Sequence, residues 1–371
     1  MHPSDAQRVI EDLRIGIPPD GYVCHFTVGR KAEINRLNAR LNGAHKGALL
    51  LKANPGAGKS HLLRFLRERA LVEGYVISSV TLDAQSAIRF NRMDQILGAI
   101  WRGLEIPNSN GGRGIRPFLN EICTRIESSK SKNKACFWCD LSNKWRWDFS
   151  DVLEAPAIFI GLRAWSTGKA AIQDIVEGWF LEPWVYKTQR SKLYYDLIGQ
   201  LKSFFRDPRY EWQFYNDGIF DFQIHAYTQS WAAFRDIHKL SIEAGYKGFI
   251  ILFDEFEDVI HNLRNIKHQQ AAFWKLFEFY GGKKFDGMPY FAVTPDFANK
   301  CKTLLLQKGC WDYDYSMFDK LPTFEMSPLT AEELQELALK ILEVHGIAYD
   351  WEPDLVMKMP ALKAIVAKTA S

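Results

Sequence analysis

Ala53-Asn54-Pro55-Gly56-Ala57-Gly58-Lys59-Ser60 decides how this chain is read. The stretch follows the apolar run Ala48-Leu49-Leu50-Leu51 and opens the amphipathic run Ser60 to Leu71, so it lies where a strand turns into a helix. In that setting glycines let backbone N–H groups surround phosphates, a lysine reaches the outer phosphates and a hydroxyl ligates Mg²⁺. Ala53 stands where the motif usually begins with glycine, and its small side chain still fits. A glycine-rich turn that merely precedes a helix would explain the glycines, but not the strand and helix signals on both sides of them. The pattern implies a bound nucleoside triphosphate with Mg²⁺, contacted by Asn54, Pro55, Gly56, Ala57, Gly58, Lys59, Ser60 and His61.

Such a site needs a second half, a buried strand ending in acid. Gly248-Phe249-Ile250-Ile251-Leu252-Phe253-Asp254-Glu255 has that form, because a continuous apolar run is what a strand covered on both faces requires. Asp254 is expected to hold Mg²⁺ beside Ser60, and Glu255 to orient and deprotonate the attacking water. An ordinary polar exit from a strand would also read Asp-Glu; the upstream phosphate loop favours the catalytic reading. Pro289-Tyr290-Phe291-Ala292-Val293 is a further strand, after a helix through Gln269 to Phe279, and it ends in Thr294. In additional-strand P-loop ATPases, which this pattern resembles, a polar residue there touches the attacking water or the γ-phosphate, which makes Thr294 the candidate sensor. Tyr75 to Leu82, running out at Asp83, and Phe324-Glu325-Met326 complete five short parallel strands. The expected fold is a three-layer α/β P-loop NTPase of additional-strand type, AAA+ or STAND-like, with its ligand at the strand carboxyl ends.

The chain has 371 residues, is 47% hydrophobic and carries a formal net charge of +3, enough for a substantial core and too nearly neutral to demand a nucleic-acid partner. No apolar stretch reaches membrane-spanning length, and residues 1 to 16 are mixed and charged rather than a signal peptide, so a cytoplasmic protein is expected. Of six cysteines only Cys136 and Cys139 are close in sequence, and they lack a second ligand pair at zinc spacing; buried free thiols are the expectation.

The spacing predicts segments at 1–46, 47–102, 103–235, 236–329 and 330–371. The first carries Val28-Gly29-Arg30-Lys31-Ala32-Glu33 ahead of a helix to Leu41; in AAA+ and STAND ATPases a box like this lies against the adenine, which nominates Gly29 and Arg30. About 160 residues separate the second strand from the acidic strand, more than one crossover needs, so a helical insertion is expected at 103–235. It holds eight of the twelve tryptophans: Trp138, Trp145, Trp147, Trp165, Trp179, Trp184, Trp212 and Trp231. Interleaved with Lys144, Arg146, Lys187, Arg190, Lys192, Arg206 and Arg209, they suit a surface for single-stranded nucleic acid, a protein interface, or plain core. Ile224 to Ala244 reads as a long helix of the ATPase core. Thr330 and Glu333 form a capping box opening a short lid helix to about His345.

The last arginine is Arg264, so residues 265–371 contain none. Oligomeric AAA+ ATPases place arginines in that region to stabilise charge on the transferring phosphoryl group. Lys320 is the nearest cation, and it lacks the bidentate fork. Hydrolysis is then slow, or the arginine lies upstream, or a partner supplies it.

Together these motifs resemble the P-loop ATP-binding proteins of BREX-type phage-defence systems, the BrxD-like family and the ATPase core of the larger BrxC-like proteins. The resemblance rests on Leu13-Arg14-Ile15-Gly16-Ile17-Pro18-Pro19, Val28-Gly29-Arg30, Gly56 to Leu63, Ala244-Gly245-Tyr246-Lys247-Gly248 leading to Phe253-Asp254-Glu255-Phe256-Glu257, Thr294-Pro295-Asp296-Phe297, and Leu329 to Leu334. It implies an ATP- and Mg²⁺-dependent component of a bacterial defence system that works with a helicase, nuclease or methyltransferase partner. The expected role is a regulatory ATPase, homo-oligomeric or not, gating a DNA-processing partner. The alternatives are a nucleotide-stabilised scaffold with little hydrolysis, and a DNA-dependent motor or filament ATPase.

Overall fold

A computed structural model describes residues 1–43, 47–82, 88–107, 112–128, 153–186, 188–201, 220–263, 265–282, 284–311, 314–352 and 355–370. The sheet contains β1 (Leu49–Lys52), β2 (Val76–Thr81), β3 (Leu104–Glu105), β4 (Phe249–Asp254), β5 (Met288–Val293) and β6 (Thr323–Glu325), in the spatial order β3-β2-β4-β5-β1-β6. Every neighbouring pair is parallel except β2 with β3. The five expected strands are present. The antiparallel edge strand β3 was not expected: two residues are too few to show a period, and they fall where the insertion was read to begin.

The longer helices among the described residues are α1 (Pro3–Arg14), α2 (Lys31–Asn42), α3 (Lys59–Val72), α4 (Met93–Arg102), α5 (Ile115–Ser128), α6 (Pro156–Trp165), α7 (Ala170–Leu181), α8 (Arg190–Leu201), α9 (Ile224–Glu243), α10 (Ile266–Tyr280), α11 (Phe297–Gln307), α12 (Ala331–Tyr349) and α13 (Leu355–Ala370). Successive residues of a strand face opposite ways, and here both faces are covered. Leu49, Leu51, Ile250, Leu252, Tyr290 and Ala292 pack on α2 and α3 through Leu37, Leu41, Leu62 and Leu66. Leu50, Ile251, Phe253, Phe291 and Val293 join a larger cluster on the other face, with α4, α6, α7, α9 and α10. The unbroken apolar run of β4 is thus explained by two cores, one on each side.

That larger cluster absorbs much of the tryptophan-rich stretch. Trp165, Trp179 and Trp231 are at most 1% exposed. The Trp179 ring lies 5.0 Å from that of Phe180 and 5.4 Å from that of Phe220. These three rings are core, and no strand of nucleic acid can stack on them. Trp184 is half-buried, with the Arg102 guanidinium 5.8 Å from its ring. Trp138, Trp145, Trp147 and Trp212 lie outside the described residues, as do Asp83, Lys144, Arg146, Lys187, Arg206, Arg209, Arg264, Cys136 and Cys139. Cys24, Cys123, Cys301 and Cys310 form no disulfide; Cys123 and Cys301 are buried as expected, whereas Cys310 is half-buried and Cys24 is exposed.

The ends of the chain meet. Ala6, Val9 and Ile10 of α1 pack with Phe26 against Val344 and Ala348 of α12, and Gln7 Nε2 donates to Ala348 O at 2.9 Å. Thr330 and Glu333 form the expected capping box, and α12 runs on to Tyr349 before a second helix, α13, follows. Among the described residues no helix is long and apolar enough to cross a membrane.

Candidate functional site

The turn between β1 and α3 is built by two left-handed glycines. Gly56 has φ +79° and Gly58 φ +89°, conformations that any larger side chain strains. Ala57 N–H donates to Asn54 O at 3.1 Å and closes the turn. α3 then begins at Lys59 with no side-chain cap and no acidic residue in its first turn. Its leading N–H groups and the positive end of its dipole are left facing the turn, an arrangement that suits an anion.

Lys59 is 9% exposed; its Nζ donates to Ala53 O at 3.3 Å and lies 3.5 Å from Glu257 Oε1. A cavity of about 410 Å³ spreads over this turn, lined by Gly56, Gly58, Lys59, Ser60 and His61 together with Glu255 and Glu257. Leu13, Gly16, Ile17 and Pro18 close it from the N-terminal side. A second, adjoining cavity of about 280 Å³ contains Ser60 and Asp254, with Arg64, Arg67 and Arg113 on its wall. Ser60 lines both, so the hydroxyl sits between the turn and the acidic end of β4.

Asp254 Oδ1 accepts the Glu255 N–H at 3.0 Å, and Glu255 itself is left-handed at φ +53°. That turn re-aims the chain out of the strand. Phe256 follows, fully buried among Phe90, Phe253, Phe291 and Phe297, and it anchors the short 3₁₀ turn 256–258. Glu255 and Glu257, on either side of this anchor, both reach the cavity over the phosphate turn. Burial, then the carboxylates of Asp254 and Glu257, raise the pKa of Glu255 above the ordinary carboxylate range, while Lys59 pulls it down.

Thr294 follows β5, which lies between β1 and β4; its hydroxyl is buried and has no hydrogen-bond partner among the described residues. Gly29 and Arg30 are held differently from the other nominated residues. Arg30, 7% exposed, donates from Nη2 to Ala57 O at 2.8 Å and from Nη1 to Ser327 O, and pairs with Glu33 at 3.3 Å. It grips the phosphate turn from behind and ties it to the segment leading into α12. Gly29 has φ +66°, and a Cβ there would fall 2.1 Å from the Glu333 side chain of the capping box. His61 Nε2 and Thr27 Oγ1 are 2.8 Å apart; since that hydroxyl donates to Val23 O, the imidazole carries its proton on Nε2. Burial, then Arg30 and Arg64, lower the His61 pKa to about 4.

Sequence reasoning did not nominate Glu257 or the 13–18 turn as site residues. The signal for Glu257 was its spacing: with Phe256 committed to the core, acids on both sides of it share the opposite direction. Residues 13–18 belong to a stretch that carries the family resemblance, but their place at the cavity depends on where α1 docks.

A glycine turn joining a strand to a helix, set beside an acidic strand end in a mostly parallel six-stranded sheet, is an α/β architecture compatible with a P-loop NTPase. Residues 1–144 match the family described as BREX system ATP-binding protein BrxC/D, and this bears out the resemblance that the motifs carry. Neither the curated proteins nor the solved structures contain a match to the chain.

Proposed function

We propose that this protein is an ATP-binding component of a BREX-type defence system that hydrolyses ATP slowly or on activation by a partner. One observation carries the reading: Lys59, Ser60, Asp254 and Glu255 converge at the mouth of a glycine turn whose helix N-terminus is uncapped. The family description adds ATP as the nucleotide and the defence system as the setting. The position of β5 between β1 and β4 supports the additional-strand reading.

The donor set fits the expected groups. Lys59 and the amides of the turn bind phosphate oxygens. Ser60 and Asp254 would hold Mg²⁺, which keeps several waters and takes only one or two protein oxygens, and which would neutralise phosphate charge when bound. Glu255, its basicity raised by burial, takes the proton of the attacking water. The unpartnered Thr294 hydroxyl gains the hydrogen bond it lacks by meeting that water or the outer phosphate. Arg30 links Ala57 to Ser327, so a shift of the phosphate turn reaches the start of α12 through one side chain. The pairing of α12 with α1 then moves the 13–18 turn with it, the route by which nucleotide state gates a partner.

A nucleotide-stabilised scaffold is the second reading, favoured by the absence of arginine from residues 265–371. Lys320 is exposed and carries no fork with which to replace one. Steady-state ATP hydrolysis with and without single- and double-stranded DNA, with Glu255→Gln as the blank, separates the two. Turnover above the blank that rises with DNA supports the regulated ATPase. Tight binding with turnover equal to the blank supports the scaffold.

A further inference from the structure

Lys59, at the head of the glycine turn, is engaged by the protein's own groups. Its ammonium, 9% exposed, lies 3.5 Å from Glu257 Oε1, and the other carboxylate oxygen, Oε2, is buried with no hydrogen-bond partner among the described residues. A half-satisfied carboxylate beside a buried ammonium is a costly arrangement unless something exchanges with it. The surroundings keep Glu257 where it is. Phe256 is locked into the aromatic cluster, its ring 4.7 Å from that of Phe90 and 4.8 Å from that of Phe291, so the backbone of the 256–258 turn has little room to carry the carboxylate away. Glu255 enters the same cavity from the other side of that anchor. Lys59 therefore has two possible partners, Glu257 or the outer phosphates, and the geometry does not let one ammonium serve both at full strength.

Resting on the ATP-site reading above, we propose that Glu257 is a positioning residue that competes with the nucleotide for Lys59. In the empty site it holds the ammonium over the turn. A ligand with β- or γ-phosphates takes the ammonium and releases the carboxylate. A nucleoside monophosphate, whose phosphate does not extend to Lys59, leaves the pair intact.

The test is equilibrium binding of ATP, ADP and AMP without metal to the full chain, wild type beside Glu257→Gln, Lys59→Ala and the double variant. Melting temperature serves as the check on folding. Removing the competing charge is expected to tighten ATP and ADP by about fivefold, the scale of one partly buried ion pair, and to leave AMP unchanged. The gain is expected to vanish in the Lys59→Ala background, which a purely structural role for Glu257 would not produce. ATP binding by Glu257→Gln equal to or weaker than wild type, with the fold intact, overturns the proposal while leaving the ATP site standing. A wild-type chain that binds no ATP, and does not respond to Lys59→Ala, overturns the ATP-site reading and this proposal together.

Discussion

The phosphate turn and the tryptophan-rich helical layer occupy opposite ends of one design. In the layer built from α6, α7 and α9, aromatic rings fill space: Trp165, Trp179 and Trp231 are sealed, and the indole N–H groups of Trp179 and Trp231 have no hydrogen-bond partner among the described residues. Each such ring buries on the order of 150–250 Å², which outweighs a missing hydrogen bond. At the turn the balance is reversed. A left-handed glutamate and a half-satisfied carboxylate line the cavity over the turn, and an unpartnered threonine hydroxyl follows the neighbouring strand β5. Local rules are kept in the packed layer and broken at the proposed nucleotide site.

The largest expected effect lies on the stable side. Trp179→Ala opens a cavity among Phe180, Phe220 and Phe222 and is expected to cost about 3–5 kcal/mol in denaturant unfolding, with the ATP affinity of the folded fraction unchanged. A loss of ATP affinity without loss of stability would break the contrast. Next is Glu255→Gln, expected to lower turnover roughly 10²–10³-fold while leaving the melting temperature within a degree or two of wild type.

Two smaller effects sharpen the boundary between the regions. Asp236 of α9 is fully buried and accepts N–H bonds from Glu154 and Ala155 at 2.7–3.1 Å, holding the start of α6. Asp236→Ala leaves those donors unpaired and is expected to cost about 2–3 kcal/mol in the same unfolding assay, with no effect on nucleotide binding. His61 gives a pH-dependent term at the turn. Its folded pKa of about 4 lies below the unfolded value of 6.5, so the folded state favours the neutral ring. This stability is fully present above pH 6.5 and is lost as pH falls from there toward 4, by up to about 3 kcal/mol. A melting series from pH 7 to pH 4 should show that limb, and His61→Gln should flatten it.

Much of the architecture was legible from short-range pattern. The apolar run ending in Asp254, the glycines before Lys59, and Thr330 with Glu333 each carry their structural reason within a few residues, and each lies as read. β3 was invisible because two residues have no period. The tryptophans were ambiguous because an aromatic beside a basic residue looks the same in a core, an interface or a stacking groove until its neighbours are known.

Alone, the sequence determined the strand-turn-helix unit, the acidic strand and the doubly covered sheet, since backbone preference and hydrophobic period are properties of local sequence. Only the tertiary structure decided that α1 docks on α12, that Arg30 reaches Ser327, and that Glu257 meets Lys59. Those contacts join residues nearly 200 to more than 300 positions apart, and no local preference encodes which distant side chain will fill a given space.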